Sequence, residues 1–355
     1  MRPVLYAIGV ILIFATVLPL VRTGAWWIRI FDFPRQQIAI LLGSVFFGAL
    51  FYGSFTRPAE TAFLLALAIS FGYQCCRIFP YTPFATKQVA DANPGDGSAS
   101  IRLLIANVLM DNRRAGDFIE MIRAHDPDVI LALETDDWWD RQLAFLEQDY
   151  PFALKHPLAN TYGMHLFSRL ELRSPMVRFL VEADVPSVHA AVRLASGEWI
   201  DFYGVHPRPP KPQRDTEKRD AEILIIGKEA AASERPAIIA GDYNDVAWSH
   251  TTKLFQRISH TLDPRVGRGM FSTFHAKYPM LRWPLDHVFH EASFTLGTLK
   301  RLGYFGSDHF PVLVELVREA NAGRRQMAPP ADRQARREAE KKIEHGQEAG
   351  DREPG

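Results

Sequence analysis

A mixed α/β (α+β) domain preceded by about three N-terminal transmembrane helices is the fold class this sequence predicts, and three observations carry the prediction. Three long apolar runs fall within the first 80 of 355 residues. After residue 100, short β-branched runs alternate with stretches of helical periodicity, as when strands and helices share one domain. Between these regions lies a segment rich in Pro, Gly and Ser, including PGDGSAS, whose composition buries too little apolar surface to order itself.

The first run, Pro3 to Val21, carries no charge. As a helix it rises about 28 Å, close to the thickness of a bilayer's hydrocarbon core. A second uncharged run extends from Gln36 to Thr56. The third, Thr61 to Phe79, contains only Arg77, whose guanidinium can reach the interface while its stem stays in apolar surroundings. Spans are therefore expected at about 3–21, 36–56 and 61–79, within an anchor of residues 1–80. Trp26, Trp27, Arg29, Phe31 and Phe33 separate the first two runs and suit the headgroup layer. A cleavable signal peptide would need a small-x-small cleavage site and would not precede two more such runs. With three spans, the side holding the remaining chain carries Arg22, Arg29, Arg35, Arg77 and Lys87, against Arg2 and Arg57 opposite. That count favours a cytoplasmic C-terminal part.

Residues 81–99 read as a flexible linker and 100–317 as one folded domain. Ile101–Ala106, Val129–Leu133, Val188–Val192, Trp199–Val205 and Ala237–Ala240 are expected strands. Their apolar runs predict sheets covered on both faces. Helical stripes appear at Phe118, Met121 and Ile122, and again from Arg214 to Ala232. The tail, 318–355, has 9 Lys+Arg and 8 Asp+Glu with few large apolar residues, so it is expected to stay solvated, with at most a fraying helix around Asp332–Glu344. Cys75 and Cys76 are the only cysteines and are adjacent, which excludes a disulfide framework and a Cys-based zinc site. The domain carries 25 Lys+Arg and 29 Asp+Glu, about −4 net, a poor match for a nucleic-acid duplex.

Polar residues interrupt the chain where apolar strands stop. Asn107 follows IRLLIA, Glu134 follows DVILAL, His206 follows WIDFYGV, and Asp242 and Asn244 follow PAIIAG; Asp286 lies in PLDHVF, and Asp308 and His309 in GSDHFPV. Ligands gather at the ends of strands in α/β sheets, so these scattered groups can converge on one cleft. The hard oxygen donors Asn107, Glu134 and Asp308 suit Mg²⁺ or Mn²⁺. Each residue also has a plain structural reading: an Asx turn at Asp242 and Asn244, an Arg282 partner for Asp286, a turn at His206.

In order and spacing, the Asn of IAN, the Glu of LALE, the His of YGVH, GDYND, the Asp of LDHVF and GSDH resemble the endonuclease/exonuclease/phosphatase superfamily of metal-dependent phosphoesterases, over about residues 100–317. The resemblance implies a four-layer α/β/β/α sandwich with its site at one end. It implies that Glu134, assisted by Asn107 and Asp308, would hold the divalent ion. Asp242 would orient and deprotonate water, Asn244 would hydrogen-bond the phosphate, and His309 would donate to a non-bridging oxygen with Asp286 behind it. His206 would contact the phosphate or protonate the leaving oxygen.

The expected protein is thus a Mg²⁺- or Mn²⁺-dependent hydrolase of phosphate ester or pyrophosphate bonds, multi-pass in a cell (inner) membrane. Its partners would be the bilayer and a phosphorylated substrate, a lipid among the candidates, with nucleic acid less suited. Relatives combining several N-terminal spans with this domain are associated with lipid-carrier phosphates outside the cytoplasm, so the resemblance favours the extracytoplasmic face against the charge count. A nuclease and a non-enzymatic membrane scaffold are the alternatives.

Overall fold

The computed structural model describes residues 2–52, 57–93, 99–212, 214–319 and 321–352. The N-terminal region consists of α1 (Arg2–Val17), the short α2 (Trp26–Arg29), α3 (Arg35–Tyr52) and α4 (Pro58–Ile78). Three segments, Pro3–Leu20, Arg35–Tyr52 and Pro58–Tyr81, are long and apolar enough to cross a membrane. The last residues of the second expected span, 53–56, lie outside the described residues. Leu12, Ala15, Ile38, Leu42, Val45 and Leu67 interlock where the three helices meet.

At one end of this bundle the polar residues are paired rather than solvated. Asp32 accepts from Arg29 Nη1 at 3.1 Å and Arg35 Nη2 at 2.5 Å, Arg35 Nη1 donates to Gln74 Oε1 at 3.1 Å, and Gln74 Nε2 donates to Thr16 Oγ1 at 3.0 Å. Burying such charges is tolerable only with partners of this kind. The same end grips the following domain: Trp248 Nε1 donates to Asp32 O at 2.7 Å and Tyr81 OH to Ala247 O at 2.6 Å. Arg77, expected to reach for headgroups, instead donates to the Trp248 carbonyl.

Twelve strands are described: β1 (Ser100–Asn107), β2 (Val129–Leu133), β3 (Phe152–His156), β4 (Met164–Ser168), β5 (Leu172–Phe179), β6 (Pro186–Arg193), β7 (Trp199–Val205), β8 (Ala237–Asp242), β9 (Thr261–Leu262), β10 (Asp286–Glu291), β11 (Phe294–Arg301) and β12 (Val312–Arg318). One sheet runs β11-β12-β1-β2-β4-β3 and the other β5-β6-β7-β8-β10-β9. Ile101, Leu103 and Ile105 of β1 face Val188, Phe202 and Ile238 across the space between them. The alternate residues Leu104 and Ala106 turn outward beneath α5 (Ala115–His125) and α6 (Asp137–Leu143). The outer face of the second sheet packs on α7 (Glu217–Ala232) and α8 (His250–Ile258). The architecture is the four-layer sandwich, and both faces of each sheet are covered, as the unbroken apolar strands require.

Two expectations differ from the structure. Described residues of the segment expected to be a flexible linker are strapped to the domain. Val89 is fully buried between the sheets, and Leu296 N and O bond Ala90 O and Ala92 N, both at 2.9 Å, so the strap pairs with β11. Residues 94–98, most of PGDGSAS, lie outside the described residues. The tail, expected to stay solvated, forms α9 (Arg333–Arg352) along α7. Charge counting overlooked a stripe of small residues: Ala335 and Ala339 are buried, and Gly346 lies so close to α7 that a Cβ there would meet Ala221 Cβ at 2.3 Å. Lys342 Nζ adds a 2.7 Å bond to the buried Asp220.

Gly346→Val is therefore expected to detach α9, lower the melting temperature of the full-length protein and make residues 333–352 protease-sensitive, whereas Gly323→Ala, with open space around it, leaves both unchanged. Limited proteolysis and a thermal melt check this.

Candidate active site

Strand register brings the polar interruptions together. β1 and β2 are parallel with Asn107 opposite Leu133, so Asn107 and Glu134 emerge at the same edge. In the second sheet, β7 and β8 are parallel with Val205 opposite Gly241, and Asp242 pairs with Asp286 on antiparallel β10. His206, Asp242 and Asp286 therefore share one end. Ser307 fastens the GSDH loop there, its Oγ donating to Asn107 O at 2.7 Å and accepting from His309 N at 3.0 Å. The glycine of GDYND is sterically required, since a Cβ on Gly241 (φ 143°) would meet Val205 O at 2.0 Å. Glu134 (φ 62°) and Asn244 (φ 48°) turn through left-handed backbone, an uncommon conformation that recurs where side chains are aimed at a site.

Asp242 is the hub. Its Oδ1 accepts from Asn244 N at 2.8 Å, so the Asx turn is real, but Oδ2 stays directed into the cluster. Oδ2 lies 3.3 Å from Asn107 Nδ2, 3.5 Å from His309 Nε2 and 3.8 Å from His206 Nε2. His309 Nδ1 bonds Asp286 Oδ2 at 2.8 Å. Arg282 donates to the His275 and Ala276 carbonyls instead, which removes it as the partner of Asp286. Asn107 Nδ2 also donates to Glu134 Oε1 at 2.8 Å, while its Oδ1 accepts from Leu109 N at 3.0 Å. Asn107 thus orients two carboxylates. Asn244 Nδ2 donates one proton to Pro207 O at 2.9 Å, which leaves its second N–H free to act.

Burial and charge split the histidines. Burial, with His309 adjacent, pushes His206 down to about 3, so it is neutral near pH 7. Burial opposes charge on His309 as well, but Asp286 and Asp242 outweigh it and raise the imidazole to about 10. Burial raises Asp242 to about 7 despite the pull of His309. Burial also raises Glu134. Groups pushed apart in this way are suited to separate acid and base tasks.

His287 Nδ1 accepts from Arg265 Nη2 and its Nε2 donates to Asp245 O, and His189 stacks on Tyr203. Burial lowers His165 and His290 to about 4 each, with His206 lower still. Their unfolded values lie near 6.5, so the unfolded chain takes protons first as pH falls; the stability they contribute is complete above about pH 6.5 and lost progressively toward pH 4. Each is expected to contribute a loss of up to about 1 kcal/mol per pH unit over that window. Urea midpoints at pH 7 and pH 5 check this, and His290→Gln should flatten the dependence.

Asp242, Asp286 and His309 place one ligand atom each within 4.8 Å of one another. Yet Asp286 is committed to His309, and a protonated imidazole offers no lone pair, so this trio is better arranged to move protons. Glu134 and Asp308 line the same cleft, of about 700 Å³. Asp308 Oδ1 is buried without a protein partner, and Asp308 and His309 lie close enough to perturb Glu134 electrostatically. Crowded carboxylates with an unpartnered oxygen fit a hard divalent cation.

The profile of the Endonuclease/Exonuclease/phosphatase family matches residues 104–309, which include every one of these side chains. The chain belongs to this family. Its members are phosphoesterases and nucleases, divalent-metal-dependent hydrolases of ester bonds, and the chain is a hydrolase of that class. Solved structures with the same fold include the human Nocturnin catalytic domain with bound sulfate anion (15% identity, TM-score 0.52, covering 62% of this chain and 94% of that one). They also include D. rerio TDP2 complexed with single strand DNA product (14%, 0.52, 61% and 99%) and a conserved protein from Enterococcus faecalis V583 (17%, 0.51, 62% and 100%). No curated protein matches the chain significantly.

Sequence reasoning missed part of the cleft. Trp26 and Phe33, read as part of a headgroup belt, line it together with Ile30 beside Asp242 and His309, with Leu281 and Trp283 also on its lining. Only their apolar character was visible in the sequence. Tyr162 also lines the cleft, its ring 5.3 Å from His206, while the guanidinium of Arg208 lies over Tyr162 at 4.6 Å, tied to Glu182 and Asp184.

Proposed function

We propose that the protein is a membrane-anchored, Mg²⁺- or Mn²⁺-dependent phosphoesterase that hydrolyses a phosphate ester or pyrophosphate bond of a lipid-linked substrate. The observation that carries this reading is the meeting of Glu134, Asp308, Asp242 and His309 in one cleft that residues of the anchor also line, with Asn107 and Asp286 hydrogen-bonded behind them. Glu134 and Asp308 would hold the ion, with Asn107 entering the set by fixing the Glu134 carboxylate. A bound divalent ion supplies Lewis-acid neutralisation of negative charge on the phosphoryl group.

Asp242 Oδ2 orients the attacking water and takes its proton. Asn244 uses its second amide proton on a phosphoryl oxygen and so fixes the line of attack. His309, held charged by Asp286, donates from Nε2 to a non-bridging oxygen as charge develops there. His206, neutral at working pH, is a poor proton donor to a leaving oxygen and fits the alternative role of a hydrogen-bonding contact to the phosphate.

In this reading it is a multi-pass protein of a cell (inner) membrane, which the three segments long and apolar enough to cross one support. The charge count for a cytoplasmic domain includes Arg29, Arg35 and Arg77, and each of these has a structural partner at the junction. Their placement thus has a cause other than topology, and we assign the domain to the extracytoplasmic face. A reporter fused at the C-terminus tests that side.

The activity is tested on full-length protein with phosphomonoesters, phosphodiesters, lipid phosphates and a fluorogenic oligonucleotide, with and without EDTA. EDTA-sensitive phosphate release from lipids supports the reading. Robust oligonucleotide cleavage without release from lipids would establish a nuclease instead, and no metal-dependent turnover on any substrate would leave a scaffold.

A further inference from the structure

The residues linking the first two spans belong to the active site. Trp26 and Ile30 lie on and just beyond α2, Phe33 follows, and all three line the cleft that contains Asp242 and His309. Leu281 and Trp283 line the same cleft, the Trp283 ring 5.9 Å from that of Phe33, with Leu281 50% exposed and its neighbour Met280 77% exposed. Ile30 is itself 52% exposed. Solvent-facing apolar residues on the lining of a reactive cleft, as Ile30 and Leu281 are, need an apolar neighbour to be favourable.

Their position supplies one. Gln37 Nε2 in the first turn of α3 donates to Met280 O at 2.8 Å, so the 280s rim sits where a membrane-spanning segment begins. Three spans return the chain to the face on which α1 ends, so residues 26–33 and the catalytic domain share a side and the cleft mouth lies at bilayer level. The carboxylate and imidazole end of the cleft accepts a phosphoryl group, and Ile30, Phe33, Pro34 and Leu281 add an apolar lining to the same cleft.

Building on the phosphoesterase reading above, we propose that Ile30, Phe33 and Leu281 form a wall that selects substrates by a hydrocarbon chain, the chain leaving the cleft along this wall into the bilayer. The anchor thereby sets specificity in addition to tethering the enzyme. Each methylene moved from water onto this wall favours the bound substrate by up to about fourfold.

The test uses full-length protein in detergent with matched methyl and octyl substrates, as phosphate monoesters, 4-nitrophenyl diesters and diphosphates, at concentrations where the octyl compounds are monomeric. For the series that is hydrolysed, the octyl-to-methyl ratio of kcat/KM is expected to be at least about 30 in the wild type, a few methylenes' worth of contact. It should fall at least fivefold in Ile30→Ser and separately in Leu281→Ser. These half-exposed sites lie on independent segments, and micelle partitioning of the octyl compound is common to all variants. A wild-type ratio near one, or a ratio unchanged in both variants, overturns the wall while leaving the phosphoesterase reading in place. No metal-dependent hydrolysis of any pair overturns both.

Discussion

Asp242→Asn and His309→Ala are each expected to lower kcat by at least about 10²-fold, and to move stability in opposite directions. The loss of rate follows from their tasks: Asn cannot accept a proton from water, and Ala cannot donate to a phosphoryl oxygen, and both interactions strengthen mainly in the transition state. Stability follows from the same charges. Burial raises Asp242 to about 7, above its unfolded value near 4, so the folded state binds the extra proton between those values and loses stability as pH rises toward 7. Asp242→Asn removes that cost and keeps an oxygen for the Asn244 N–H, so it should melt higher than wild type near neutral pH. His309 is the reverse case. Its folded value of about 10 lies above the unfolded 6.5, so its charge supports the fold below about pH 6.5, and that support is lost as pH rises through 10. His309→Ala leaves Asp242 and Asp286 without their shared cation and should melt lower. Steady-state kinetics and thermal melts on the same preparations decide the matter; near-normal kcat in both variants would remove the proton-transfer assignment.

Glu134→Gln is expected to abolish the response to metal in two readouts. Activity should drop by about 10²-fold or more, and the rise in melting temperature that Mg²⁺ or Mn²⁺ produces in the wild type should disappear. A ligand present at 100 times its dissociation constant stabilises a folded protein by about 2.7 kcal/mol, a readily measured shift. Without metal the variant should be no less stable than wild type, because burial already works against the Glu134 carboxylate and its backbone conformation is compatible with Gln. A retained metal-induced shift would move the ion toward Asp242, Asp286 and His309, whose ligand atoms also lie close together.

The candidate site was unusually legible because its members sit at strand ends. An Asp or His just after an apolar run interrupts a regular pattern, and parallel register then carries such interruptions to a common edge, as Asn107 and Glu134 are carried by β1 and β2. Partner choice was less legible. Whether Asp286 met Arg282 or His309 depended on how loops close between segments far apart in the chain, and the 2.8 Å bond to His309 resolves it. Asn107 was expected beside a metal, and in the structure its amide group faces two carboxylates, a detail of rotamer that no residue type specifies.

By itself, the sequence determined five of the twelve described strands, the spanning lengths and the polar residues at strand ends that form the candidate set, since these depend on local periodicity, run length and residue chemistry. Tertiary structure alone decided that α9 docks through Ala339 and Gly346, that Val89 pins the strap between the sheets, and that Trp26, Ile30 and Phe33 close the cleft. Those contacts join segments tens to hundreds of residues apart. Their energy comes from shape and buried area, which leave no regular trace along the chain.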